Sequence, residues 1–506
     1  MNGRQEISPP VELHEIARRH CSKPGFKLID CLQVALPVFV IPLEAIVIAS
    51  KPLGLVNEFL LRSIAEGINS LAELSGFLGL DEVFVKKRLG ELITADLVSY
   101  GPAHEGQPLA QLTTKGQEAL KKSALVQPIR ESFWLAIDGI TRQPLTVRRD
   151  RLLSGMNVRS YGLKEIRAFP ADRAPEFHEL AAMDLTEAIA KGARKEKNVQ
   201  KVMSLASIGR RLRRYQEATM LVFRSERGRE IHVEFFIDGR PHQQITQAFA
   251  RHDGVKSLHI LEQVEESTAQ TRTEIESVLP HFVESREVAA ANSSRAALQP
   301  FVAKVGFLES KIEQKEMALG DGASHAEVQQ LKKQIDQLKA DKAKAESDLN
   351  SIEVRHLEVH EHRPLFNRSL ETAKQRLLIV SPWITDRVLN YSRLQKIRVL
   401  ADRGVEIFIG YGIGEERNAR PGKDTGQQAI QFLSDLASKN KRVHFEEFGD
   451  THAKILLVDD IFAVIGSFNW LSFEGDRRQK FREELSYYVN VKSRIEELFQ
   501  RYRQRF

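Results

Sequence analysis

The run Val34 to Ala49 constrains this chain first. Sixteen mostly apolar residues in succession must leave water, for a bilayer or for a protein core. The run carries Pro37, Pro42 and Glu44 and falls short of the ~20 residues a membrane helix requires. Two buried β-strands interrupted by the prolines satisfy it instead. Across 506 residues, 42% hydrophobic and 28% charged content is enough for three to four domains at the usual ~100–200 residues each. Fibrous, mucin-like and wholly disordered chains are excluded. Two cysteines, Cys21 and Cys31, cannot build a disulfide framework or a four-ligand zinc site. The segment Met1 to Pro10 is polar, with no export signal. A soluble, cytoplasmic protein without membrane contact is expected. The 74 Lys and Arg against 68 Asp and Glu leave only +6, so any polyanion site must be a local cluster.

The pattern then changes to a helical period. Val56, Phe59, Leu60 and Ile64 mark one helix, and Leu71, Leu74 and Leu78 a second. Asp81 caps a third, with Val85, Leu89, Leu92 and Ile93 inside. Strands Leu97 to Tyr100 and Leu109 to Thr113 follow around a turn. Three helices and a hairpin in this order resemble a winged helix, over about 65 residues including Leu112 to Leu120. Lys86, Lys87 and Arg88 would lie on its exposed recognition helix, as DNA contacts or simply as a solvated face.

Asn198 to Tyr215 reads as a helix ending in Arg210, Arg211, Leu212, Arg213 and Arg214. The arginines suit phosphate binding, or a solvated helix end with cations at its favourable terminus. Met220 to Arg224 and Ile231 to Ile237 read as a β-hairpin. Ala289 to Pro300 reads as a linker. Heptads then run from Val305 to Leu319 and from Val328 to Ile352, separated by the turn Gly320 to Ser324. These helices form an antiparallel coiled-coil hairpin or pair with a second chain. The expected domains are 1–125 (strands plus winged helix), 126–287 (a middle α+β domain), 300–356 (the coiled-coil hairpin) and 357–506.

The last domain carries the chemistry. Arg376 to Ile384, Ile397 to Arg403 and Val405 to Gly410 make a strand–helix–strand unit. Downstream stand His452, Lys454, Asp459, Gly466, Ser467 and Asn469, in the spacing His-x-Lys-x4-Asp-x6-Gly-Ser-x-Asn, with an acid at Glu484. His452 and Lys454, two apart on a strand, would leave one face. An imidazole, an ammonium, a hydroxyl and an amide converging on one point suit a phosphodiester, with no metal ligand set.

The pattern resembles the phospholipase D superfamily over about Glu361 to Val491. The resemblance implies an α/β/α sandwich, so the fold class expected overall is multidomain α/β. It implies that His452 attacks phosphorus to form a phosphohistidine. Lys454, Asn469 and Ser467 would hold the nonbridging oxygens, and Glu484 would orient the imidazole, with Glu483 as the alternative. Asp459 would be a supporting member. The superfamily uses two such motifs and this chain has one, which implies a homodimer with a composite site. His360 and His362 lack the following lysine and are poor substitutes; they and His444 are where a second acid within the chain would be sought. No cofactor or metal is implied.

A metal-independent DNA endonuclease follows, with DNA as partner, aided by the basic Arg477, Arg478 and Lys480. An antiphage effector gated by an ATPase would suit that architecture. A phospholipid phosphodiesterase on the same fold, or a DNA-binding assembly factor with a vestigial nuclease, are the alternatives. Removing 1–125 is expected to weaken DNA binding and leave residual cleavage.

Overall fold

Pro37 and Pro42 do not interrupt the apolar run. The computed structural model shows one strand, Phe26–Pro52, passing through both, and the expectation of two strands is corrected. The reason is local. Proline lacks an N–H and carries a ring, so its strand neighbour must require no donor and leave room. Gly139 stands against Pro37 and Gly209 against Pro42, where an added Cβ would lie 2.7 and 2.9 Å from the rings. Each glycine N–H donates to that proline's carbonyl, at 2.8 and 2.7 Å.

The structure describes residues 13–101, 108–147, 149–192, 198–278, 283–318, 325–412, 426–472 and 481–506. Met1 to Pro10, the turn Gly320 to Ser324, and Arg477, Arg478 and Lys480 lie outside these. The described residues form two compact units, each drawing on separate stretches of chain.

One unit comprises Pro37–Leu152 and Ala171–Arg214. Its part of the long strand pairs antiparallel with Ala124–Asp138 on one side and Asn198–Ile208 on the other. The helix expected over Asn198 to Tyr215 is therefore wrong. The segment is two strands, Asn198–Ile208 and the start of Leu212–Ser225. The open edge of the long strand supplies pairing partners that override the helical reading of the basic run. One face of this sheet is apolar: Leu43, Ala45, Val47, Phe133 and Leu135 are buried.

At Pro52 and Ala124, which are register partners, the chain leaves the sheet and returns. Between them lie helices Leu55–Ala65, Leu71–Leu78 and Glu82–Thr94, the hairpin Val98–Tyr100 with Ala110–Leu112, and helix Thr114–Lys122. Ser70 and Glu73 form a capping box on the second helix, and the Asp81 carboxylate caps the third through Val83 and Phe84. Leu60, Leu61, Ile64, Leu74, Val85, Leu89 and Leu92 make a core of their own.

The other unit comprises the chain up to Leu36, Leu153–Pro170 and Tyr215–Phe506. Its centre is a seven-stranded sheet in the order Val354–His356, Ser486–Val489, Phe462–Gly466, Ile455–Val458, Arg376–Ser381, Glu406–Tyr411, Val443–Glu447. The last three strands run parallel to one another and the rest pair antiparallel. Helices His362–Thr372, Tyr391–Asp402 and Gln427–Lys439 share a core with one face of the sheet. Helix Lys492–Arg503, with Val283 and Ala291, packs on the other.

Ala291 lies in a helix, Ser285–Ala318, which corrects the linker expected at Ala289 to Pro300. That stretch is helical because it is anchored. The Tyr487 hydroxyl donates to Asn292 Oδ1 at 3.2 Å, and Arg295 holds Glu358 through two bonds of 2.7 Å. The later part of this helix packs against His325–Asn350. The heptad lysines bond across the pair, Lys315 to Gln334 and Lys342 to Glu309. The amino-terminal segment belongs to the same unit. Leu13, Ile16, Ala17 and Cys21, with Leu28 and Cys31, share a core with Leu221, Phe223, Phe236 and Val359.

Candidate active site

Ile455–Val458 and Phe462–Gly466 are apolar on both faces and almost wholly buried, so neither strand alternates between polar and apolar residues. The polar residues gather where these strands stop. Antiparallel pairing of Ile455 with Ile465 and of Gly466 with Ser486 brings three ends to one edge of the sheet. They are the start of Ile455–Val458, the end of Phe462–Gly466 and the start of Ser486–Val489. His452 and Lys454 precede the first, Ser467 and Asn469 follow the second, and Glu484 precedes the third. The Arg376–Ser381 strand ends at the same edge, Val380 facing Ile455.

His452 and Lys454 are not on a strand, as the spacing had suggested, but in the extended segment leading into one. Thr451 N–H donates to Gly412 carbonyl at 3.0 Å, and Gly466 N–H to Lys454 carbonyl at 3.3 Å, which pins that segment. Lys454 is buried and its ammonium donates to the His452 carbonyl at 3.0 Å. The His452 side chain is exposed. The Ser467 hydroxyl donates to Glu484 Oε2 and accepts from Leu485 N–H at 2.9 Å. Asn469 is buried, and its Oδ1 has no hydrogen-bond partner among the described residues.

Glu483 and Glu484 face different partners. Glu484 meets Ser467 and pairs with Arg482 at 2.6 Å. It does not bond the imidazole, as the family resemblance had implied. Glu483 turns away to Lys27, to Arg224 at 3.1 Å and to the Thr268 hydroxyl at 3.4 Å. Burial pushes its carboxyl up, but Lys27, Arg295 and Arg224 outweigh that and hold it below the ordinary range.

Asp459 is not brought to the group. It ends the Ile455–Val458 strand at the side away from His452, with its backbone at φ +54°. Its carboxylate accepts from the backbone N–H groups of Lys374, Gln375 and Arg376, at 3.1, 2.7 and 2.9 Å. The other histidines are packing residues. His362 is fully buried, stacks on Phe468 at 4.4 Å and lies 2.9 Å from the Ser486 hydroxyl. His360 is buried, and His444 stacks on Phe408 at 4.5 Å. No group of three or more His, Cys, Asp or Glu side chains among the described residues is placed to hold a metal ion.

Of the residues expected to meet nucleic acid, Lys86 to Arg88 and Arg210 to Arg214 belong to the other unit. Lys86 and Lys87 are exposed on helix Glu82–Thr94. Arg88 is paired with Glu91 at 2.6 Å and lies over the Phe84 ring. Arg210 and Arg211 are exposed at the turn between Ile208 and Leu212, where Arg213 pairs with Asp172 and Arg214 is half-buried.

Sequence reasoning missed Asp30. It is buried; its carboxylate accepts from Arg482 N–H at 3.2 Å and from Cys31 N–H at 2.9 Å. Burial pushes this carboxyl up to about 7, against the opposing charge of Arg482. A lone acid within Leu28-Ile29-Asp30-Cys31-Leu32 was the available signal.

Fold and edge together define a phospholipase D-like α/β domain. Residues 366–506 match the family described as "Cardiolipin synthase, PLD-like domain". Among solved structures, the chain is similar to Nuc of Salmonella typhimurium, a phospholipase D family member, at 16% identity over 30% of this chain and 92% of that one, TM-score 0.23. NucT of Helicobacter pylori matches at 19% identity over the same shares, TM-score 0.22. The phosphatidylserine synthase of Haemophilus influenzae matches at 15%, over 34% of this chain and 45% of that one, TM-score 0.22. No curated protein matches the chain. No helix among the described residues is long and apolar enough to cross a membrane.

Proposed function

We propose that this chain hydrolyses phosphodiesters of nucleic acid, DNA foremost, without a metal ion and through a covalent histidine intermediate. The observation that carries the reading is the edge itself: the spaced His452, Lys454, Ser467 and Asn469 fall at adjoining ends of buried strands. The His452 imidazole attacks phosphorus; a P–N bond forms as the P–O bond to the leaving oxygen breaks. The leaving oxygen takes its proton from the equivalent histidine of a second copy, which later accepts one from the attacking water as the P–N bond is cleaved. Lys454 and the Asn469 amide hold the nonbridging oxygens, and Ser467 fixes the edge by tying Glu484 to it. Asp459 serves the fold.

The module between Pro52 and Ala124 reads as a winged helix presenting Lys86 and Lys87, which suits a nuclease brought to duplex DNA. Such a chain fits an effector of antiphage defence, gated by a partner such as an ATPase. Lipid phosphodiester hydrolysis is the second reading, favoured by the description of the matched family. Plasmid nicking and phospholipid headgroup release, measured side by side in EDTA, separate the two. Nicking with no headgroup release is expected, and the reverse pattern would establish the lipid reading.

A further inference from the structure

The charge of the chain is unevenly placed. The stretches 37–52, 124–152 and 171–214, which build the sheet of the smaller unit, hold 16 Lys and Arg against 10 Asp and Glu. That excess equals the formal +6 of the whole chain. The helical module 53–123 holds 7 against 9, so it is weakly acidic despite Lys86 and Lys87. The basic excess lies in the stretches that carry the sheet and its connections, not in the helical module.

Among the described residues, one face of the sheet is uncovered from Trp134 to Ile46, beyond the end where Leu145, Val147 and Leu152 pack over Val38, Val40 and Ala136. Alternation in Ala124–Asp138 sends Phe133 and Leu135 into the core and Arg130, Ser132 and Trp134 outward. Register places these against Ile46, Glu44 and Pro42 of the long strand. On the other side of that strand, Lys201, Ser204 and Ser207 stand opposite Ile48, Ile46 and Glu44. Three bulges in this pairing keep Lys201, Ser204 and Ser207 in step with the outward residues. Trp134 is 51% exposed, an unusual position for the largest side chain, and the Arg149 guanidinium lies over its ring at 4.2 Å. Glu44 is spoken for: it accepts from Arg130 at 2.7 Å and from the Ser207 hydroxyl at 3.2 Å. Arg210 and Arg211 are exposed at the end of the Asn198–Ile208 strand.

We infer that this three-stranded face, centred on Trp134, binds single-stranded nucleic acid. An exposed indole offers a stacking surface to any base, and Arg149 over it, with Lys201, Arg210 and Arg211 along the Asn198–Ile208 strand, offers charge to the backbone. An extended strand of nucleic acid suits a flat, twisted sheet face, whereas a duplex hides its base faces from an indole. The inference deepens the nucleic-acid reading of the catalytic edge and rests on it for the substrate class.

The test measures binding apart from cleavage. Full-length protein carrying His452→Ala is titrated into a fluorescent oligothymidylate and into a duplex of equal length. The oligothymidylate is expected to bind more tightly and to quench tryptophan emission. Trp134→Leu should weaken it roughly tenfold, and Trp134→Phe, which keeps a ring, should restore most of that loss. Arg149→Ala and Lys201→Ala should each lower the salt slope by about 0.7. Unchanged oligonucleotide affinity in Trp134→Leu, with an unchanged melting temperature, would overturn the inference, as would duplex preference insensitive to Trp134→Leu, Arg149→Ala and Lys201→Ala. Binding through Trp134 by a wild-type chain that cleaves nothing would sink the catalytic reading and support the surface.

Discussion

Asp459 receives three backbone N–H groups at the turn where Lys374 to Arg376 enters the sheet, and this separates it from the chemistry despite its place in the motif. Asp459→Ala strands those buried donors, a loss of about 1–3 kcal/mol. Thermal melting should show a lower midpoint, while the folded protein keeps most of its turnover. His452→Ala should do the opposite, since the side chain is exposed: no change in midpoint and no cleavage. An Asp459→Ala protein of normal stability and no activity would return this residue to the reaction. Asp30 makes a second residue-scale expectation. Its folded-state carboxyl titrates at about 7, above the ordinary 3.8. The folded state therefore binds the extra proton. That stabilisation is full below about pH 4 and is lost as pH rises through about 7. Asp30→Asn cannot ionise, so its melting temperature relative to wild type should rise between about pH 5 and pH 8; a constant offset would contradict this. His356, His360 and His362, held low by burial, act with the opposite sign below about pH 6.5, so the difference between variant and wild type is the quantity to follow. The motif was legible because its residues are close in sequence. Asp30 was not, because Arg482 stands 452 positions away.

Elements whose reasons are local could be read from sequence, and those whose reasons are distant could not. Ser70, Glu73 and Asp81 announce their helices by capping chemistry. The long strand is legible as buried but not as continuous, since the glycines that accommodate its prolines lie about a hundred or more residues downstream. The same distance hides the strands at Asn198–Ile208 and Leu212–Ser225, which exist because other strands offer edges. The anchoring of Leu13 to Leu36 in the larger unit changes a practical expectation. Deleting residues 1–125 removes core residues such as Ile16 and Leu28 and should leave insoluble protein rather than a weakened binder. The informative deletion is 53–123. Pro52 and Ala124 are register partners, so an Asn-Gly turn can join them. The shortened chain is expected to fold and cleave, with weaker affinity for duplex DNA in a salt titration. Unaltered duplex affinity would assign the module to protein contacts instead.

At the scale of the molecule, one chain supplies one histidine in the required setting while the proposed cycle uses two. Within the chain, His362 is stacked beneath Phe468 and His444 lies against Phe408, while His356 and His360 are buried. The proposed cycle therefore calls for a two-fold pair of catalytic domains. Wild-type and His452→Ala subunits, mixed and reannealed, should lose activity as (1−x)² for mutant fraction x; a linear loss would indicate sites complete within one chain. The claim beneath this is that phosphorus becomes bonded to His452. The direct measurement is mass spectrometry of enzyme quenched in alkali during turnover of an oligonucleotide in EDTA. The peptide containing His452 should carry a nucleotide joined through a P–N phosphoramidate bond, stable to base and lost in acid. Cleavage that requires Mg²⁺ and leaves that peptide unmodified would contradict the mechanism.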